Sequence, residues 1–212
     1  MKCKLGFTTI CSLFLALIVP IAVPKAHAAA QVNVFRFSGS SVIASFHSLD
    51  ASGCIITDTF VFASAGTIYN PPGGPDPSQV TGVSVSQFDQ CAGILTRAAV
   101  GSTSDVNFQI AKDLSSATLS GTVPLDDVVA GTTILVTVNL TWTGSGNTVH
   151  QVFHGHLTLP GFVENDLFNG DMQDGQASGM ISGAGENFAP GASVSAQLQQ
   201  NTVGNITVQV PR

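Results

Sequence analysis

The chain contains little charge, and basic charge is the scarcest. Only 9% of its 212 residues are charged, and 7 Lys and Arg stand against 13 Asp and Glu, which gives a formal net charge of −6. Proteins that bind nucleic acid need a basic surface, so this composition excludes a nucleic-acid partner. A disordered chain is excluded as well, because 44% of the residues are hydrophobic.

The sequence also lacks the usual catalytic signatures. It has no Gly-x-Ser-x-Gly elbow, no His-Glu-x-x-His, no phosphate-binding glycine loop followed by Lys and Ser or Thr, and no dinucleotide-binding glycine motif. We therefore assign no catalytic residue and favour a protein without enzymatic activity. Aromatic side chains that stack on sugars are scarce too. Of one Trp and one Tyr, Trp142 falls in the apolar row of a strand and Tyr69 stands beside a proline-rich loop.

The first 28 residues are typical of a bacterial export signal. Two lysines precede a mainly apolar stretch over 5–23, and Ala26-His27-Ala28 has the small-x-small pattern of a cleavage site. We expect cleavage after this pattern and a secreted, extracellular chain of residues 29–212 that inserts into no membrane. An uncleaved membrane anchor is the alternative.

Two of the four cysteines, Cys54 and Cys91, remain after the expected cleavage. An even pair in an exported chain predicts a disulfide bond. The alternative is a pair of free thiols that bind a metal or act in redox chemistry, but the two residues lack a Cys-x-x-Cys spacing.

Alternation with a period of two recurs along the mature chain and predicts strands. In Ile134–Trp142 every second residue is apolar, and helical periodicity is convincing nowhere. Turn signals such as Asn169-Gly170 separate the strands, and Pro71–Pro77 is predicted to be a stiff, exposed loop. We predict a single antiparallel β-sandwich domain over 29–212, with a jelly-roll or a barrel as alternatives. The phenylalanines of the alternating strands are assigned to the core: Phe35, Phe37, Phe46, Phe60, Phe62 and Phe153.

The predicted strand Val149–Leu159 carries three histidines on one face. His154 and His156 are two residues apart, about 6.5–7 Å on the same side of a strand, which suits a pair of metal ligands. Further ligands would have to come from His47, Asp58 or Glu164. The alternatives are a polar row on a sheet whose other face is core, or a pH-sensitive patch. The His-x-His pair is similar to the start of the cupin metal motif, but the flanking Gly and Glu stand at other distances and no histidine follows, so no cupin function is carried over.

An acidic stretch rich in Asn and Gly follows the histidine strand. Its carboxylates could wrap a calcium ion, although the spacing does not match an EF-hand loop. A solvated turn is the alternative. The candidate ligands are Glu164, Asp166, Asp171 and Asp174.

These observations favour a secreted, non-catalytic structural or binding module with an extracellular protein or glycan as partner. No cofactor is predicted. One alternative is a metal-binding protein or metal-dependent enzyme that uses the His-x-His strand. The other is a calcium-stabilised adhesion or glycan-binding domain that uses the acidic stretch.

Overall fold

The computed structural model describes residues 30–70 and 73–209, and the predicted export signal lies outside these ranges. The described residues form eleven strands and no helix. The strands are β1 (Gln31–Leu49), β2 (Ile55–Tyr69), β3 (Pro75–Asp89), β4 (Ile94–Thr103), β5 (Val106–Ile110), β6 (Ser116–Asp127), β7 (Thr132–Gly144), β8 (Val149–Leu159), β9 (Phe162–Gly183), β10 (Glu186–Asn187) and β11 (Ser195–Gln209). A helix able to cross a membrane is absent from this part of the chain.

The strands pair antiparallel in one 11-stranded sheet, which closes on itself because β7 pairs with both β6 and β9. Two parts of this sheet face each other across the core, and we call them layers. The first runs in the order β11-β1-β2-β3-β4, and the second contains β5, β6 and β7. β9 belongs to both layers, because residues 162–175 pair with β11 and residues 175–182 pair with β7. At the opposite side of the sandwich, β4 meets β6 through two residue pairs. The predicted all-β, antiparallel architecture is confirmed.

The alternation in the sequence builds the core between the layers. The apolar positions of β7 are buried together with those of β1 and β2: Val136, Val138, Leu140, Trp142, Val42, Ala44, Phe46, Val61 and Ala63. The indole Nε1 of Trp142 donates a hydrogen bond of 2.9 Å to the carbonyl oxygen of Ile43. This bond links β7 to β1, so the largest core side chain ties the two layers together.

The predicted disulfide is confirmed. Cys54 and Cys91 lie at bonding distance, with their sulfur atoms 2.02 Å apart. Cys54 directly precedes β2 and Cys91 closely follows β3, two strands that pair from Ile55–Asp89 onward. The bond therefore closes the open end of the β2–β3 ladder.

One predicted turn is wrong, and the predicted loop Pro71–Pro77, of which residues 71 and 72 lie outside the described ranges, is shorter than expected. Asn169-Gly170 sits in the middle of β9, where a Cβ on Gly170 would come within 2.5 Å of the Asn201 Cβ. This glycine permits close approach of two strands rather than a turn. In the predicted proline loop, Pro75 and Pro77 already belong to β3 and pair with β2.

The first layer is longer than the second, and its surplus forms a feature that we call the sheet extension. It consists of β8 and the adjoining parts of β9, β11, β1, β2 and β3: residues 149–159, 162–172, 199–209, 31–41, 64–69 and 75–80. The β6–β7 ladder ends at the pair Ser116–Thr143, before β8 begins. Most of the extension therefore lies beyond the cover of the second layer.

Candidate functional site

β8 forms one edge of the sheet extension and is uncovered on both sides. Ten of its 11 residues are exposed and the remaining one, Gly155, is half-buried. Five large apolar side chains are between 45% and 55% exposed: Val149, Val152, Phe153, Leu157 and Leu159. The expectation that the face opposite the histidines is core is therefore wrong for β8. The histidines pair with odd-numbered residues of β9, the side on which Ala177 and Ile181 enter the core, and the second layer ends before this strand.

One side of the extension carries a row of apolar side chains across its strands, and we call it the phenylalanine face. The register places Phe153, Phe168, Val203 and Phe37 in one row across β8, β9, β11 and β1. A Cβ on Gly39 or Gly66 would lie 2.7 or 2.8 Å from the Phe37 ring, so this ring lies over glycine backbone. Of the phenylalanines assigned to the core, Phe46 is 2% exposed and Phe153 is 55% exposed. The other four are half-buried: Phe35, Phe37, Phe60 and Phe62.

The two edges of the extension differ in chemistry. Residues 75–80 of β3 pair only with β2, and this edge carries Pro75, Asp76 and Pro77. Proline has no N–H to donate, and proline and charge are devices that block further strand pairing. β8 pairs only with β9 among the described strands, and its sequence contains no proline, Lys, Arg, Asp or Glu. The remaining edge strands, β5 and β10, have 5 and 2 residues.

The other side of β8 is the histidine face, which carries His150, His154 and His156. His156 Nδ1 donates a hydrogen bond of 2.7 Å to Asn165 Oδ1, and Thr158 Oγ1 lies 2.9 Å from His156 Nε2. The neutral tautomer that donates from Nδ1 accepts the Thr158 hydroxyl at Nε2. Hydroxyl, imidazole and amide thus stand in the order of a nucleophile, a base and an orienting group. All three side chains are exposed, and water screens the charges that such a group would have to stabilise.

The structure does not bring the other proposed metal ligands to His154 and His156. Glu164 pairs with Leu157 and so lies on the phenylalanine face, opposite the two histidines. His47 and Asp58 form their own pair, 2.7 Å apart, at the distant end of β1. Within the described ranges, the one group of three close ligand atoms is Cys54, Asp89 and Cys91, whose sulfurs form the disulfide.

The acidic stretch is part of strand β9, so its carboxylates alternate between faces. Asp171 lies on the histidine face, 2.8 Å from His150 Nδ1. Glu164 and Asp166 lie on the phenylalanine face, and both accept a hydrogen bond from Asn205 Nδ2, at 2.5 and 2.7 Å. Asp174 is eight residues beyond Asp166, about 26 Å along an extended strand. The structure brings Glu164 and Asp166 together and separates them from the other two.

A third charged cluster, formed by Arg97, Asp127 and Glu186, lies apart from the sheet extension and links strands of the fold. Arg97 Nε donates to Asp127 Oδ2 at 3.3 Å, its Nη1 lies 3.1 Å from Glu186, and its guanidinium lies 5.1 Å from the centre of the Phe188 ring. The cluster adjoins the corner where β4 meets β6. Burial acts to raise the pKa of Asp127, but three backbone N–H groups and Arg97 outweigh it and hold this pKa below its usual value. The sequence alone could not predict that Arg97 and Asp127 form an ion pair.

Acid is expected to destabilise the fold partly through Asp127. Its pKa is lower in the folded than in the unfolded chain, so its ionised form stabilises the fold above about pH 4. This stabilisation is lost as the pH falls through the folded-state pKa. Asp127→Asn should lower the free energy of unfolding at pH 7 by about 1–3 kcal/mol and flatten the acid limb of the Tm curve. Thermal melting between pH 2 and 7 measures the free energy of unfolding and the acid limb. The control is Asp105→Asn at an exposed position. An acid limb that is unchanged in Asp127→Asn would contradict the stabilising role of Asp127.

Comparison of the chain with protein-family models, with curated proteins and with solved structures finds no significant match. The geometry of the sheet extension is therefore the basis on which a function is assigned.

Proposed function

We propose that the protein is a secreted, non-catalytic structural or binding module that holds an extracellular protein partner on the sheet extension. The observation that carries this proposal is the uncovered β8, an 11-residue edge strand with half-exposed apolar side chains on both sides. Exposed apolar patches of this kind mark interaction surfaces. An open strand edge offers backbone hydrogen bonds to a partner strand.

The chemistry of the extension favours a protein over a glycan. Its phenylalanine face presents Phe and Val side chains in a row, and the single Trp of the chain is buried in the core. Tyr69, at the border of the extension, is 42% exposed and is the one side chain of the kind that stacks on sugars there. Apolar contact and backbone pairing are the means of recognition that the surface provides.

Site-specific photo-crosslinking in intact, producing cells tests the proposal. We expect p-benzoyl-phenylalanine at Phe153, on the exposed edge, to form adducts of discrete mass with an extracellular protein or with a second copy. The control is the same group at Leu135, which is 66% exposed on β7 of the second layer. Adducts of equal yield at the two positions, or none at Phe153, would contradict the extension as the binding surface.

A metal protein is the second candidate, and His156 supports it. Metal-binding imidazoles usually donate their second N–H to an oxygen, as His156 does to Asn165. A metal at Nε2 would have to displace the Thr158 hydroxyl, with His154 as a second ligand two residues away. The transition-metal content of untagged residues 29–212, purified without chelator, tests this candidate. Near-stoichiometric metal that is lost in His154→Ala and His156→Ala would favour it over the non-catalytic module.

A further inference from the structure

We propose that the partner of β8 is a second copy of this chain, so that the sheet extension continues across a two-fold axis. This inference rests on the proposed function and names the occupant of its open edge. It follows from the difference between the two edges, from the residue pattern of β8 about its midpoint, and from the absence of permanent charge on that strand.

The blocked β3 edge restricts how copies can join. If β8 paired with β3 of another copy, repetition would build an open filament. Pro75 and Pro77 oppose this, since neither can donate a backbone hydrogen bond to an added strand. The Gln79 side chain also bonds the Val106 carbonyl, which draws β5 toward this edge. The pairing that the extension permits is β8 against β8, which closes as a symmetric dimer.

The midpoint of β8 gives the register. An antiparallel pair centred on His154 aligns all 11 residues of each strand, about 36 Å of ladder. Val149 then stands opposite Leu159 of the copy, and Phe153 stands opposite Gly155. Gly155 carries no side chain, so each Phe153 ring gains room over the facing backbone. Half-exposed apolar side chains on both faces become neighbours across the axis.

The edge carries no fixed charge to oppose this approach. The only titratable side chains of β8 are its three histidines. The His154 of one copy stands directly opposite the His154 of the other at the axis. Facing them from β9 are Leu167 beside His154, Asn165 beside His156 and Asp171 beside His150. Directly opposed like charges destabilise paired strands, and β8 brings no permanently charged side chain to the axis.

Sedimentation velocity of residues 29–212, over about 1–200 µM, tests the dimer. We expect a reversible dimer with a dissociation constant on the order of 10 µM at pH 7.5, since one strand edge buries less than a standard interface. A wild-type chain that stays monomeric over the whole range would overturn the inference.

A charge exchange at His154 tests the register. His154→Lys and His154→Glu should each abolish the dimer, because each places like charges opposite one another at the axis. Mixed in equal amounts, the two variants should form a heterodimer. Leu135→Lys, a lysine on an exposed position of the second layer, should dimerise like the wild type. The His154 side chain is exposed and forms no hydrogen bond with another described side chain, so unchanged melting is expected for both variants.

Val152→Lys gives an independent variant, since this exposed position stands opposite His156 of the copy in the same register. It should weaken the dimer as well. Unaltered dimers in the His154 and Val152 variants, or no heterodimer in the mixture, would overturn pairing through β8. A monomeric chain that still crosslinks from Phe153 to a different protein would refute the second copy and leave the proposed function standing. Absence of any Phe153 adduct would refute the function itself.

Discussion

Replacing Trp142 with alanine is expected to lower the free energy of unfolding by about 5 kcal/mol, the largest effect of any single substitution considered for this protein. The Trp142 side chain is fully buried between the two layers. Its loss removes apolar contact area and leaves a cavity that neighbouring strands fill only in part. It also removes the donor for the Ile43 carbonyl, which then lacks this partner inside the core. Thermal melting followed by circular dichroism should show a fall in Tm of about 10–20 °C.

Two matched variants separate packing from hydrogen bonding. Trp142→Phe keeps most of the ring and loses the N–H donor, so a loss of about 1–3 kcal/mol is expected. Leu135→Ala lies on the same strand but is 66% exposed, and its effect should stay within about 0.5 kcal/mol. If Trp142→Ala melted within 3 °C of the wild type, the indole would not be the link between the layers.

Removing the Cys54–Cys91 bond is expected to produce the second largest effect. The cysteines are 37 residues apart. In the chain-entropy model, a cross-link over that separation raises the free energy of the unfolded chain by about 4 kcal/mol. The double variant Cys54→Ser, Cys91→Ser should therefore melt about 10 °C below the wild type. The β2–β3 ladder lies entirely between the two cysteines, so the variant should retain the fold at room temperature.

Reduction of the wild-type chain supplies the control for this prediction. Dithiothreitol should lower the wild-type Tm to that of the double variant and leave the variant itself unchanged. A double variant that melts with the oxidised wild type would show that β2–β3 pairing persists in the unfolded chain, so that the bond removes no additional freedom.

The strands and the core could be predicted from the sequence because both depend on local alternation. β7 illustrates this, since its apolar positions up to Trp142 point inward as the period of two requires. The pairing of Cys54 with Cys91 could be predicted because no other pair remained after the expected cleavage. The prediction did not extend to Asn169-Gly170, which resembles a turn in sequence but lies within β9, where Gly170 accommodates Asn201.

The candidate site was less accessible to sequence reasoning. The shared face of His154 and His156 followed from their spacing, but the strands on either side decide what joins them. The register puts Glu164 on the opposite face and leaves His47 with Asp58 at the other end of β1. The open edge itself had a signal in the sequence, the run from 149 to 159 without proline or charge. That signal acquires meaning only once the strand is known to lie at an edge.

By itself, then, the sequence determined the all-β class, the inward and outward sides of each core strand, and the identity of the disulfide. These depend on the period of two along a strand and on the count of cysteines. The tertiary structure decided which apolar faces are covered. Phe153 and Trp142 both belong to alternating apolar rows, but they pair with Phe168 and Ala177, which lie on opposite faces of β9. Trp142 therefore points into the core, and Phe153 points away from it. Burial depends on which face the pairing turns toward the opposing layer and on how far that layer reaches, and no local pattern in β8 contains either.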